Sequence, residues 1–198
     1  MDSVFPDLYV IRHGQTEWNV ARRHQGRLDS PLTEKGQTQA RDMGQMLSRR
    51  VAGRMDIQSF SSPQGRALHT AQIALTPLGW QVTQDARLCE VSYGAWEGLT
   101  RDEIDAGWPE QAAYAEQNPV EWNFSSPGGE GLHDLKARAD SFLRELTGPA
   151  IVFTHGVLSR VLRAQWLGLN EYEMLELPGG QGIIFHLSSD GGHRVIEK

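Results

Sequence analysis

Two short apolar runs in this chain, Leu8 to Ile11 and Ala150 to Phe153, both lead into a histidine and a glycine: Ile11-Arg12-His13-Gly14 and Phe153-Thr154-His155-Gly156. Runs of this length read as buried strands whose carboxyl ends deliver polar groups to a surface. Helical patterns alternate with them. Ala40, Met43, Leu47 and Val51 recur at spacings of three and four, which predicts an amphipathic helix from Thr33 to about Arg50 with Thr33 as its cap. Asp56 to Ser61 reads as a second strand and Gly65 to Leu75 as the helix after it. Leu135, Ala139, Phe142 and Leu146 mark a further helix, and Val157 to Leu167 another that Gly168 ends. Residues 183 to 187 and 193 to 197 fit a closing hairpin. Strands alternating with helices predict an α/β fold, a three-layer sandwich with a mainly parallel central sheet flanked by helices. The stretch of about 99–129, rich in Trp, Tyr, Glu, Asn and Pro, shows only short helical patterns and is expected to form a small helical lid inserted into a single domain spanning 1–198.

Length and charge narrow the partners. A chain of 198 residues is a natural size for one domain with a core covered on two sides. Net charge is −6 and the Lys and Arg residues are scattered, so no broad basic face for nucleic acid is expected. The N-terminal stretch places an acidic residue where a signal peptide needs basic ones, and Pro6 and Asp7 interrupt its apolar residues. No apolar run reaches membrane length. One cysteine, Cys89, excludes an internal disulfide, and a cytoplasmic location is expected.

In a parallel sheet the carboxyl ends of the strands open on one edge, so His13 and His155 are expected to face each other there. A third strand end, Ser61-Ser62-Pro63-Gln64-Gly65-Arg66, puts an arginine in the first turn of a helix whose N-terminus favours an anion. Two arginines, two histidines and a helix terminus suit a tetrahedral dianion such as phosphate, because the guanidinium fork pairs with two oxygens and stays charged. Neutral imidazole is a competent nucleophile toward phosphorus, and His13 lies in the tightest of these turns. A leaving alkoxide needs a proton donor; Glu90 and Glu97, both in Leu88 to Gly98, are candidates that spacing does not separate. The five other histidines show no metal-ligand spacing, and neither a dinucleotide fingerprint nor a Walker sequence occurs, so no metal or cofactor is expected. Alanine stands at position 95, where a cysteine phosphatase built on Cys89 would need arginine, so Cys89 is expected in the core. Trp108, Tyr114, Trp122 and Phe124 are expected to pack the 99–129 segment onto the sheet or to line the substrate pocket.

Residues 10–40, VIRHGQTEWNVARRHQGRLDSPLTEKGQTQA, closely resemble the N-terminal signature of the histidine phosphatase superfamily, which includes the cofactor-dependent phosphoglycerate mutases. Further blocks are similar in the family's order: SSPQGRALHTA at 61–71, LCEVSYGAWEG at 88–98, SPGGEGLHDLKAR at 126–138 and VFTHG at 152–156. The resemblance implies that His13 is the phosphorylated nucleophile, that Arg12, Arg66 and His155 bind the transferring group, and that Glu90 is the general acid and base. It further implies phosphate contacts from Asn19 and Gln25. Val157 replaces the second glycine that often follows the second histidine, and Gly131 replaces the usual serine after Gly-Gly-Glu. Val91 and Ser92 stand where the mutases carry a basic pair, and Trp96-Glu97-Gly98 is more usual in phosphatases. The expected activity is therefore metal-independent hydrolysis of a small phosphate monoester, with a mutase or a noncatalytic phosphate-ligand module as alternatives. The alcohol and the oligomeric state are not specified by these residues.

Overall fold

β1 (Leu8–Arg12) carries apolar side chains on both of its faces, as a strand covered from two sides must. In the computed structural model, which describes residues 5–51, 53–54 and 56–198, Leu8 and Val10 join one core and Tyr9 and Ile11 the other. The N-terminal residues weighed above against a leader, 1–4, lie outside the described set.

β4 (Ala150–Thr154) repeats this alternation, sending Ala150 and Val152 to one core and Ile151 and Phe153 to the other. It lies parallel to β1 with Leu8 opposite Ala150 and Arg12 opposite Thr154. β2 (Gln58–Ser61) pairs parallel to β4, and β3 (Thr83–Gln84), a two-residue edge, parallel to β2. β5 (Ile184–Ser188) and β6 (Gly192–Ile196) form the expected hairpin and add antiparallel to β1. The six strands run in the order β3-β2-β4-β1-β5-β6.

The sheet sits between two helical layers. α2 (Glu34–Val51) and α3 (Gly65–Leu75) bury Met43, Leu47, Ala71, Ala74 and Leu75 against one face. Thr33 Oγ1 accepts a 3.1 Å bond from the Gly36 amide, the capping bond expected of it. α6 (Leu132–Arg144) and α7 (Gly156–Leu167) bury Leu135, Phe142, Leu158 and Leu162 against the other face, and Gly168 closes α7 in the left-handed conformation, φ 70°. Burial on this scale, at roughly 25 cal/mol per Å² of apolar surface, is the main favourable term in folding.

α1 (Glu17–Val20) follows β1 directly and carries a Thr16/Asn19 capping box. Residues 99–129 contain α4 (Arg101–Gly107), α5 (Pro109–Gln117) and a 3₁₀ turn over Glu121–Phe124. Trp108 and Trp122 pack on the fully buried Trp96 with ring centroids 6.4 and 5.1 Å away, so they anchor this segment, while Tyr114 is half exposed. α8 (Glu171–Glu176), capped by Asn170, precedes the loop into β5. Among the described residues no helix is long and apolar enough to cross a membrane.

Candidate active site

Register places the two histidines side by side. Because Arg12 pairs with Thr154, the next residue on each strand is His13 or His155, and the His13 amide extends the ladder with a 2.9 Å bond to the Thr154 carbonyl. Adjacent strands run about 4.8 Å apart, and the two rings lie 5.3 Å apart, tilted by 59°. The glycines that follow allow close contacts: a Cβ on Gly14 would collide with the Gly36 carbonyl oxygen, and one on Gly156 would meet Arg12 Cζ at 3.4 Å.

His13 is 2 % exposed, and its Nδ1 lies 2.8 Å from the Gly14 carbonyl oxygen. A carbonyl only accepts, so Nδ1 carries the proton and the lone pair is on Nε2. Burial, then the charges of Arg12 and Arg66, hold the His13 pKa well below its ordinary 6.5, so the ring is neutral. His155 is fully buried, and both its ring nitrogens lack a hydrogen-bond partner. Burial first, then Arg66, His13 and Arg12, push its pKa well down too.

Arg12 forms no ion pair among the described residues, and its Nε is buried without a partner. Burial lowers its pKa, and the Glu90 carboxylate opposes that shift. Arg66 is held from the loop after α1: Nη1 donates to the Leu28 carbonyl at 2.6 Å and to Asp29 Oδ1 at 3.0 Å, and Nη2 donates to the Gly26 carbonyl at 2.9 Å. A guanidinium has five N–H donors, so Nε–H and one Nη2–H remain for a ligand. At the N-terminus of α3 the carboxylate of Asp29 accepts from the Arg66 amide, at 3.3 Å through Oδ1 and 3.2 Å through Oδ2.

The same device recurs at α7. Glu90 Oε1 accepts from the Val91 and Leu158 amides, both at 3.1 Å, and Oε2 from the Val157 amide at 3.2 Å. Two of these donors belong to the first turn of α7, whose dipole favours an anion. Glu97, the other candidate, lies elsewhere: its Oε1 accepts from the Arg27 and Tyr93 amides and from Ser92 Oγ, tying two loops together. Arg12, His13, Asn19, Gln25, Arg66 and Glu90 all line one cavity of about 240 Å³ at the carboxyl edge of β1 and β4.

Amide orientations follow from partners. Asn19 Oδ1 accepts from the Thr16 amide at 3.0 Å and from Gln181 Nε2 at 2.9 Å, leaving its NH₂ as the group free to donate into the cavity. Gln25 Oε1 accepts from Ser30 Oγ, which leaves its NH₂ likewise. Sequence reasoning missed several residues here. Gln181 holds Asn19 and also the His13 carbonyl, and Gln64 joins the Gly26 carbonyl to the Glu90 amide. Arg23, His24, Asn123 and Arg160 also line the cavity. Arg23, His24 and Arg160 lie near the recognised blocks but carry no distinguishing pattern of their own, and Gln181 comes after the last recognisable block. Trp108, Tyr114, Trp122 and Phe124 do not line it. Cys89 is buried as expected, and no group of three or more His, Cys, Asp or Glu among the described residues is placed to hold a metal ion.

Comparison with known proteins identifies the family. The family model of the histidine phosphatase superfamily, branch 1, matches residues 8–198. A probable phosphoglycerate mutase, GpmB, of Salmonella paratyphi C is 34 % identical over 171 residues, 82 % of this chain and 75 % of the relative. Among solved structures, a mycobacterial glucosyl-3-phosphoglycerate phosphatase in complex with VO3 superposes with a TM-score of 0.82 at 33 % identity, over 97 % of this chain and 98 % of that one. YhfR of Bacillus stearothermophilus gives 0.80 at 32 % identity over 96 % and 95 %. A match over nearly the whole chain, on a sheet whose register brings His13 beside His155, has one reading: this chain belongs to the histidine phosphatase superfamily.

Proposed function

We propose that this protein hydrolyses small phosphate monoesters in two steps through a phosphohistidine on His13, with Glu90 as general acid and base. The observation that carries the reading is the His13 tautomer: a neutral ring, protonated on Nδ1, sits in the same cavity as the Glu90 carboxyl group. In the first step Nε2 bonds to phosphorus as the ester P–O bond breaks, and protonated Glu90 gives its proton to the leaving oxygen. In the second, ionised Glu90 takes a proton from water, whose oxygen displaces the phosphoryl group from Nε2 and regenerates His13 and Glu90. Arg12 and Arg66, with the amides of Asn19 and Gln25 and the ring of His155, hold the three equatorial oxygens. Phosphoryl transfer depends mainly on positioning and neutralising those oxygens, and the unpartnered buried donors on Arg12, Arg66 and His155 support that role.

Hydrolysis is favoured over a mutase by the residues after Glu90. Val91 is fully buried in the core, and Ser92 turns its amide to Glu130 and its hydroxyl to Glu97, so neither brings a cation to the substrate. The cavity volume suits a small ester, since drug-sized ligands occupy about 300–1,000 Å³. We assign the 99–129 segment as a cover over this cavity, to which it contributes Asn123. The composition of the chain, with its single buried cysteine, is in keeping with a cytoplasmic location.

The test is release of inorganic phosphate from a panel of small esters in excess chelator, with wild type and His13→Ala side by side. Chelator-resistant release that falls by at least about 10³-fold in the variant is expected for a lost nucleophile. Comparable release by the variant would refute the phosphohistidine route, and a phosphorylated product without free phosphate would identify a mutase.

A further inference from the structure

The loop between α8 and β5 reaches the active site without lining its cavity. Gln181, on this loop, directs its NH₂ group at two acceptors, Asn19 Oδ1 at 2.9 Å and the His13 carbonyl oxygen at 3.3 Å. Both hydrogens of the group are thereby used. The side chain joins α1 to the end of β1 from 162 positions along the chain. His13 and Asn19 line the cavity and Gln181 does not, so whatever it contributes to the chemistry runs through those two residues. Two arginines of α7 fasten the loop. Arg160 Nε donates to the Leu177 carbonyl at 3.2 Å, and Arg163 Nη2 to the Pro178 carbonyl at 2.8 Å. Arg163 is fully buried, pairs with no carboxylate among the described residues and stands 3.7 Å from the centroid of the Phe185 ring. A cation buried without a counter-ion is costly unless its donors are met. The Ser159 and Pro178 carbonyls that meet them hold α7 and the loop in one arrangement. Gly182, at φ 78°, then turns the chain toward β5 through the left-handed region that glycine enters freely. Since α7 also holds Glu90 through the Val157 and Leu158 amides, one helix places both the acid–base group and the loop that meets Asn19.

We infer that Gln181 is a positioning residue for phosphoryl transfer: it fixes the Asn19 amide, NH₂ toward the phosphoryl oxygens, relative to the backbone that carries the nucleophile. This rests on the phosphohistidine reading above. The Thr16 amide also donates to Asn19 Oδ1, at 3.0 Å, but it belongs to the same capping box and moves with α1. Gln181 is the donor that ties Asn19 to the end of β1. Orientation matters because an Asn19 that turned Oδ1 toward a phosphoryl oxygen would set acceptor against acceptor.

The experiment is a double-mutant cycle on Gln181→Met and Asn19→Ala, read by calorimetry with inorganic phosphate and by steady-state kinetics with p-nitrophenyl phosphate. Methionine keeps the length of the side chain and removes the donor. Neither residue belongs to either core, and thermal unfolding checks that each variant is folded. Gln181→Met is expected to weaken phosphate binding by about three- to tenfold, the scale of one hydrogen bond. KM should rise by a similar factor with a smaller change in kcat, because the grip on the oxygens already exists in the bound ester. In the Asn19→Ala background the same substitution should change binding by no more than about twofold, since residues that act as a unit are not additive. Unchanged binding in Gln181→Met would show that the Thr16 amide alone holds Asn19 and would overturn the inference. Equal losses in both backgrounds would overturn it too, because they mark a role that does not pass through Asn19. Phosphate binding needs no turnover, so the two readings separate. A coupled loss of binding with no ester hydrolysed sinks the hydrolytic reading and leaves Gln181 in its role; hydrolysis without coupling does the reverse.

Discussion

At the scale of single residues, the chemistry turns on which donors and acceptors the protein leaves unspent. His13 commits Nδ1 to a backbone carbonyl and keeps Nε2, and Glu90 commits its oxygens to three amides that hold the carboxyl group in place. Replacing Glu90 by Gln keeps the shape but removes the transferable proton. General acid catalysis contributes about 10²–10⁴-fold, and its loss matters most where the leaving group is a poor one. Glu90→Gln should therefore slow alkyl phosphates by at least about ten times more than aryl phosphates. Steady-state rates on the two ester series decide this, and equal slowing would remove Glu90 from the acid role. Sequence could nominate Glu90 and Glu97 alike, because both sit in one loop-like stretch; they separate because one oxygen pair meets α7 and the other meets Arg27.

Elements position these residues through tethers that sequence shows only as charges. Arg138 on α6 grips Glu130 through Nε at 2.6 Å and Nη2 at 2.9 Å, and donates to the Arg87 and Glu90 carbonyls. Both side chains are mostly buried, at 15 % and 12 % exposure, so solvent screens them little. The Gly-Gly-Glu block thus serves the loop bearing Glu90 and does not itself line the cavity. Arg138→Ala should cost about 2 kcal/mol, the value of hydrogen bonds to charged groups. Urea unfolding would read that loss, and kcat should fall with it as the Glu90 loop loosens; an unchanged midpoint would show that the tether adds no stability. α2, α3 and α7 were legible within a residue or two of their ends, whereas α6 begins three residues before Leu135 and ends at Arg144, leaving Leu146 outside it. β3 was not, since its two exposed residues gain their pairing from β2 alone. α8 was short, although Asn170 and Glu173 formed a capping box that could have announced it.

For the whole molecule, burying two histidines beside Arg12 and Arg66 has a cost in stability that depends on pH. Burial and Arg12 and Arg66 hold both histidine pKa values below 6.5 in the folded state. The unfolded chain then binds more protons, so this contribution makes stability fall as pH drops through about 6.5. Denaturant unfolding at pH 7.5 and 5.5 should show the loss in wild type and a shallower slope in His155→Asn. Inorganic phosphate at 100 times its Kd should add about 2.7 kcal/mol by binding the folded state alone; no shift in Tm with phosphate would argue against the anion site. Two strand ends marked by His-Gly, a helix-strand alternation and a set of phosphate-binding residue types were determined by the sequence by itself, because periodicity and local turn chemistry act over a few neighbouring residues. Tertiary structure decided the rest. The parallel register sets His13 beside His155, and chain folding returns Gln181 to Asn19, Asp29 to Arg66 and Glu90 to the start of α7. Such contacts join residues far apart in the chain, and only the packing of both helical layers on one sheet brings them within hydrogen-bond reach.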